Sequence, residues 1–256
     1  MADAKNYFIH ATAAERYARG RPDLHPAIVR RICEVTGRPR FASALDVGCG
    51  TGLSTRAIAS VADRVVGIDA SPEMLRLATS GPGIAYQQAR AESLPFADWS
   101  FDLINVGLAF HWFVPEAFLR EARRALRDDG WLVIYNSGFL GQLHGDDDFA
   151  QWHRSVYLAR YPTPPRPPAD VTDEFVRPFG FALVKKETHD QEIPMSSDQF
   201  VGYLLTQSNV IAVVEQGSER LKDVAQFIIQ GVAPFFGGQT RILKWQSHID
   251  YLRVCG

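Results

Sequence analysis

A doubly wound α/β sheet is the fold class this sequence predicts, and three observations carry it. Ala44-Leu45-Asp46-Val47 is a short apolar run that enters three glycines at alternate positions, Gly48, Gly50 and Gly52, and Leu53 to Ala62 then follow a helical pattern. Strand, glycine turn and helix in that order build a nucleotide pocket at the carboxyl end of the first strand of a parallel sheet. Arg64 to Asp69 is a second apolar run, and it ends in an acid about twenty residues past the glycines. Strand-like and helix-like stretches keep alternating as far as Tyr135, which is the doubly wound pattern.

Ahead of that core, residues 3 to 36 read as two helices, over Ala11–Ala18 and from Pro26, a good first-turn residue, to Val35. After the second strand, Ser71-Pro72-Glu73 is a helix start, and a third strand covers Ala85 to Gln88. The fourth strand is Phe101 to Gly107; a helix from Pro115 to Leu126 stops at Arg127-Asp128-Asp129-Gly130, and Trp131 to Tyr135 is the fifth strand. From Gly138 the pattern loosens. Asp146 to Tyr161 reads as a helix, Tyr161 to Pro168 as stiff and extended, and this segment after strand five as a cap over the substrate side. Phe181 to Pro194 is a sixth strand with a solvent-facing second half, and helices over Ser197–Val214 and Ser218–Phe235 form an insertion. Gly237-Gly238 breaks the chain before a closing edge strand, Arg241 to Val254.

Bulk properties narrow the function. At 256 residues and 46% hydrophobic, the chain can bury a sizeable core, and a formal net charge of −2 argues against a dedicated nucleic-acid binder. Cys33, Cys49 and Cys255 are too scattered for a disulfide framework or a zinc site. No apolar run reaches the length of a membrane span, and the residues after Met1 lack a signal-peptide core, so a cytoplasmic protein is expected.

The competing ligand for a glycine turn is a dinucleotide, whose G-x-G-x-x-G fingerprint read from Gly48 needs glycine at 53; that residue is Leu53, and the third glycine is Gly52. Asp46 is an added acid in the loop approach. A carboxylate there is expected to repel a pyrophosphate and to suit a ligand with an ammonium group and no phosphate, such as S-adenosylmethionine.

Leu45-Asp46-Val47-Gly48-Cys49-Gly50-Thr51-Gly52 resembles motif I of the class I S-adenosylmethionine-dependent methyltransferases. From about Tyr17 to Asp129 the chain is similar to their small-molecule "methyltransferase type 11" group, near the trans-aconitate methyltransferases. The resemblance implies a Rossmann-like seven-stranded sheet with an antiparallel last strand, within one domain over 1–256: an N-terminal helical lid (1–40), a cofactor-binding core (41–136), a cap segment (137–180) and C-terminal strands with a helical insertion (181–256). S-adenosylmethionine is the implied cofactor and S-adenosylhomocysteine the product.

Site residues follow. Asp46, Gly48, Cys49, Gly50 and Gly52 are expected to hold the amino-acid tail and backbone face of the cofactor, and Asp69 to accept from the ribose hydroxyls, although Asp69 is also placed to cap the helix after it. Ala70 and Met74 match the family segment beside the adenosine. In the loop Arg90 to Phe96 the family often has Asp where this chain has Arg90, which leaves Ala91 and Glu92 as the adenine contacts; Leu94 reads as turn packing. Val106 and Gly107 close the cofactor side at the tip of strand four. Beyond them, His111-Trp112 is the pair placed to meet the acceptor, with His111 positioning it or acting as base. Packing under the lid is the competing reading. Tyr17 and Arg21, in a Y-x-x-x-R-P arrangement, are either lid residues facing the acceptor or a helix end with a solvated arginine. His144, His153, His189 and His248 lack comparable placement and read as structural, and Trp152 and Tyr157 read as helix packing or as the wall of an apolar pocket.

The expected function is methyl transfer to a small-molecule acceptor, a carboxylate or another oxygen, with no metal, nucleic acid or membrane as partner. A non-catalytic protein that binds the same cofactor and an NAD-dependent oxidoreductase are the alternatives. Acceptor identity and oligomeric state are not written in the sequence.

Overall fold

Residues on alternate positions of a strand face opposite sides, so a strand buried on both faces must be apolar almost throughout. In the computed structural model, which describes residues 11–164 and 170–255, β1 (Phe41–Val47) meets that requirement: six of its seven residues are buried. The N-terminal residues before 11 and positions 165–168 of the Pro-rich stretch lie outside the described residues.

The chain forms two compact units, Asp23–Ser137 with Pro167–His189 and Ser247–Gly256 in one, Met1–Pro22 with Gly138–Arg166 and Asp190–Gln246 in the other. The first, the sheet unit, is organised on β1, β2 (Ala62–Asp69), β3 (Ile84–Gln88), β4 (Phe101–Gly107) and the start of β5 (Leu126–Leu143). β1 pairs in parallel with β2 and with β4, β2 with β3, and β4 with β5. With β6 (Phe181–Met195) and β7 (Arg241–Val254) the sheet has seven strands in the order β3-β2-β1-β4-β5-β7-β6. The last strands run antiparallel. On β5 and β7, Ser137 meets Ser247 while His144 meets Ile242; on β6 and β7, Gly180 meets Cys255 while Glu187 meets Tyr251, so residue numbers rise on one side as they fall on the other. The antiparallel β7 and the seven-stranded sheet are as expected, with β6 rather than β7 at the edge.

The two faces of this sheet carry separate cores. Ala44, Leu103, Trp131 and Val133 pack with Ile28, Val29 and Ile32 of α2 (His25–Thr36) and Ala57 and Ile58 of α3 (Leu53–Ala59). Their strand neighbours Leu45, Ile104, Leu132 and Ile134 face the other way, onto Phe118, Leu119, Ala122 and Ala125 of α5 (Pro115–Ala125). The short α4 (Pro72–Leu75) follows β2, capped by Ser71. One boundary differs from expectation. Arg127–Gly130 turns within β5 rather than ahead of it: β5 begins at Leu126, opposite Phe101, and resumes with Trp131 opposite Leu103, so these residues loop out in an irregularity of the pairing, with Gly130 against the Arg127 carbonyl. Arg127 holds the bulge by donating to Asp102 at 2.6 Å.

The helical unit gathers α1 (Ala11–Gly20), α6 (Asp147–Trp152), a π-helical turn over His153–Tyr157, α7 (Leu158–Arg160), α9 (Ser197–Leu204), α10 (Ser208–Glu215) and α11 (Leu221–Phe236); α8 (Asp173–Val176) belongs to the sheet unit. α1 packs on α9 at Gly20, where a side chain would strike the Gly202 carbonyl. A capping box starts α9: Ser196 accepts from Gln199 N–H and the Gln199 side chain returns the bond. The single helix expected over Ser197–Val214 is two. Thr206 turns its hydroxyl onto the Tyr203 carbonyl at 2.6 Å, competing with the helical ladder, and Gln207 is extended. No helix among the described residues is long and apolar enough to cross a membrane.

Candidate functional site: the glycine loop of the sheet unit

The backbone at Gly48, Gly50 and Gly52 has φ of 71°, 55° and 81°, the left-handed region that side chains disfavour. At two of them space excludes a side chain as well. A Cβ on Gly48 would lie 2.5 Å from that of Ala109, and one on Gly52 would strike the Tyr86 hydroxyl. Tyr86, on β3, was not singled out in the sequence; it stands behind both Gly52 and Gly67 and anchors its hydroxyl on the Thr79 carbonyl at 3.1 Å.

Asp69, at the end of β2, is the clamp of the loop. One carboxylate oxygen accepts the Gly50 N–H and the other the Ser71 N–H, both at 2.8 Å. The sequence allows ribose contact and helix capping as alternatives; Asp69 is tied to the backbone at the start of α4 and is half-buried as a residue. Burial raises its pKa, and the bonds from Ser71, Gly50 and Ala70 oppose that rise.

Asp46 corrects an expectation. It is fully buried, and its carboxylate accepts from Ser54 Oγ at 2.5 Å, Thr55 Oγ1 at 2.6 Å and Asn105 Nδ2 at 2.8 Å. An acid so engaged does not meet a ligand's ammonium group; it ties β1 to the first turn of α3 and to β4. Desolvation raises its pKa against those three hydrogen bonds, with nearby Asp69 adding to the rise. What disfavours a pyrophosphate is instead the state of the loop's own donors. Gly48 and Cys49 both donate to the Ile68 carbonyl, Gly50 to Asp69 and Gly52 to the Cys49 carbonyl. A phosphate site at a helix N-terminus needs such N–H groups free, and these four are spent inside the protein.

Each of the other expected cofactor residues is placed individually, and one of them is closed off in the core. Met74 approaches Gly50, its Cε 3.4 Å from where a Cβ would be, and Ala70 is exposed beside Asp69. Cys49 is buried, and that burial pushes its thiol far up, with the charges of Asp46 and Asp69 adding to it. Ala91 is buried, and Glu92 accepts the Val114 N–H at 3.0 Å while Arg90 lies 3.4 Å from its other oxygen. Leu94 is core, as expected, and its N–H is held by Glu121 at 2.7 Å. Val106 is the exception: it is fully buried in the core, so at this strand tip only half-buried Gly107 is open.

Just beyond, Leu108 has φ of 62°, a strained conformation for a leucine, and its N–H is fixed on the Tyr135 carbonyl at 2.8 Å. That reversal launches the 3-10 turn Phe110–Trp112. The rings of His111 and Trp112 lie 4.7 Å apart, tilted 45°, both half-buried. Phe113, one residue on, has its ring 3.2 Å from where a Cβ of Gly48 would be, so the end of β4 and the glycine loop are in contact. A closed circuit results: Asp69 to Gly50, Gly48 to Ala109 and Phe113, and Val114 to Glu92. Beneath it, His25 Nδ1 and Tyr135 Oη form a buried pair at 2.6 Å, with the hydroxyl against Gly107. No sequence spacing marks that pair, because its members are 110 residues apart.

Tyr17 and Arg21 belong to the helical unit. The Arg21 guanidinium lies 4.6 Å from the centre of the Tyr17 ring and 5.5 Å from that of Tyr203, and it donates to the Thr206 carbonyl at 3.1 Å. Among the described residues no group of three or more His, Cys, Asp or Glu is arranged to hold a metal ion.

Residues 45–134 match the family model of the methyltransferase domain. A protein of Dictyostelium discoideum assigned as a methyltransferase is 29% identical over 182 residues, covering 69% of this chain and 68% of its own. A solved structure from Anaeromyxobacter dehalogenans, assigned as a type II methyltransferase, superposes with a TM-score of 0.73 at 27% identity, over 92% of this chain and 98% of that one. A Haemonchus contortus phosphoethanolamine N-methyltransferase, solved with S-adenosylhomocysteine, shares the fold at TM-score 0.53 and 17% identity, over 96% of this chain and 57% of that one. The chain carries a methyltransferase domain over residues 45–134 and is similar in sequence and fold to methyltransferases over most of its length, and its cofactor is S-adenosylmethionine. A glycine loop with its N–H groups already satisfied and a half-exposed carboxylate at the end of β2 fit that cofactor.

Proposed function

We propose that this protein transfers the methyl group of S-adenosylmethionine to an oxygen of a small molecule, a carboxylate being the favoured nucleophile. The observation that carries the reading is the circuit above, which sets Asp69, the glycine loop and the His111–Trp112 turn in one connected frame. The cofactor supplies an activated methyl on a sulfonium whose leaving group is a neutral thioether. The protein's task is then to align the nucleophile and exclude water rather than to supply a strong acid. Asp69 accepts from the ribose hydroxyls, and the Ala91 backbone and Glu92 bound the adenine. Trp112 Nε1 and His111 hold the acceptor oxygen at the end of β4. A carboxylate needs no base; for a phenol or alcohol, His111 takes the proton. Three free thiols suit a reducing, cytoplasmic compartment.

Calorimetry with S-adenosylmethionine and with NAD tests the cofactor, and incubation of the protein with labelled S-adenosylmethionine and a metabolite extract tests turnover. A labelled small product is expected. Binding without any labelled product across broad extracts would favour a non-catalytic binding protein.

A further inference from the structure

A bulky residue in the left-handed backbone region is held against its own sterics, and it persists only where its surroundings over-determine it. Among the described residues two non-glycine residues qualify, Trp99 at φ of 56° and Leu108 at φ of 62°. They flank β4. Trp99 precedes the strand, at the end remote from the glycine loop; Leu108 follows it, at the end where the loop leaves the parallel β1. The residue next to Leu108 shows the opposite choice. Gly107 has no unusual φ, yet a Cβ there would strike the Tyr135 hydroxyl. Glycine stands where room is short, and leucine where the backbone would favour glycine.

Tyr135 is what holds the bend. The Leu108 N–H donates to its carbonyl at 2.8 Å, its hydroxyl fills the space beside Gly107, and that hydroxyl pairs with His25 Nδ1 at 2.6 Å. Both members of the pair are closed off, Tyr135 at 2% exposure and His25 at 5%. Leu108 itself is half-buried and belongs to neither core of the sheet, so its side chain does not account for the hold. Past the bend the chain seats on the glycine loop. Ala109 and the Phe113 ring close on Gly48, at 2.5 Å and 3.2 Å from where a Cβ would be, and the Val114 N–H reaches Glu92 at 3.0 Å. Relaxing the bend at Leu108 redirects everything after it, including both contacts with Gly48.

We propose that Leu108 is a positioning residue of the cofactor site: its left-handed bend, braced by the His25–Tyr135 pair, presses residues 109–113 against Gly48 and keeps the glycine loop in the form that S-adenosylmethionine binds. The strain is stored in the protein, so the cofactor meets a loop already in place. Where that segment lifts, only the seated fraction binds, and the apparent affinity falls by that fraction. This goes beyond the function proposed above, because it concerns the cofactor alone and needs no acceptor.

The test is calorimetric titration of the full chain with S-adenosylhomocysteine, with Tm read on the same samples. Leu108→Val keeps an apolar side chain but puts a β-branched residue in the left-handed region. It is expected to bind about tenfold more weakly, the equilibrium worth of the added strain. Leu108→Asn loses the apolar side chain but suits the bend, and is expected to keep most of the affinity that Leu108→Val loses. Tyr135→Phe removes the brace at the hydroxyl and is expected to weaken binding severalfold. Adding Leu108→Asn to it should recover affinity without recovering Tm, a result that a purely structural role would not produce. Trp99→Asn, at the far end of β4, is the control and should leave binding unchanged. Three results would each overturn the proposal: Leu108→Val lowering Tm while its folded fraction binds normally, Leu108→Asn weakening binding as much as Leu108→Val, or Tyr135→Phe either binding normally or gaining nothing from Leu108→Asn. Should Leu108→Val fail to fold, the Tyr135→Phe chain and its double variant decide the matter.

Discussion

The Asp69 carboxylate accepts the Gly50 N–H at 2.8 Å, and that one bond joins the end of β2 to the crown of the glycine loop. The residue proposed to read the ribose is thus also the residue that shapes the loop. Asp69→Asn keeps one acceptor and loses the charge, so S-adenosylhomocysteine binding is expected to weaken about tenfold. Asp69→Ala removes both and should cost about a hundredfold, or roughly 2.7 kcal/mol. Calorimetry measures both, and an unchanged affinity in Asp69→Ala would remove the ribose assignment.

Asp46 separates a structural role from a ligand role. Its carboxylate faces three donors, so Asp46→Asn removes the charge and sets an amide N–H2 against hydroxyls that must reverse and against the Asn105 amide, which can only donate. We expect a loss of about 2–4 kcal/mol, roughly 5–12 °C in Tm, with cofactor affinity of the folded fraction changed much less. A variant that keeps its Tm and loses binding would return Asp46 to the ligand.

The three loop glycines are not equivalent to glycines elsewhere with the same backbone. Gly52 has φ of 81° and Tyr86 against it, whereas Gly238 has φ of 75° and open space. Gly238→Ala should cost only its backbone strain, about 1–2 kcal/mol. Gly52→Ala adds a collision and should be several-fold worse in unfolding free energy, with partial rescue by Tyr86→Ala. Equal costs in urea unfolding would show that sterics at Tyr86 play no part.

Acid sensitivity is expected in two windows. Burial holds the His153 imidazole down at about 4 against an ordinary 6.5. The unfolded chain therefore takes up that proton first, and stability falls as pH drops from about 6.5 toward 4. The bond from Arg31 is the main cause holding the Glu187 carboxyl at about 2 against 4.5, and its stabilisation is full above about pH 4.5 and lost on the way down to 2. Urea unfolding at stepped pH should show His153→Phe flattening the upper window and Glu187→Gln the lower one. A slope that survives both substitutions would assign acid loss to other groups.

What could be read from residues in order was whatever depends on near neighbours. Alternate glycines require a left-handed turn wherever they occur, and apolar runs bounded by turns marked β4 and β7 at the limits the structure has. Asp69 was found because its place at a strand end is a fixed count from the loop. Helix limits were read less well where one side chain intervened, as Thr206 does between α9 and α10.

What the tertiary structure alone decided is which donor meets which acceptor. Asp46 reads outward in the sequence and points inward in the fold, because its partners include Asn105, 59 residues away; Glu187 meets Arg31 across 156. Backbone conformation follows from local sterics, and so the sequence by itself determined the loop and the class of fold. The satisfaction of a buried polar group is settled only when distant segments pack, and so the roles within the site waited for the fold.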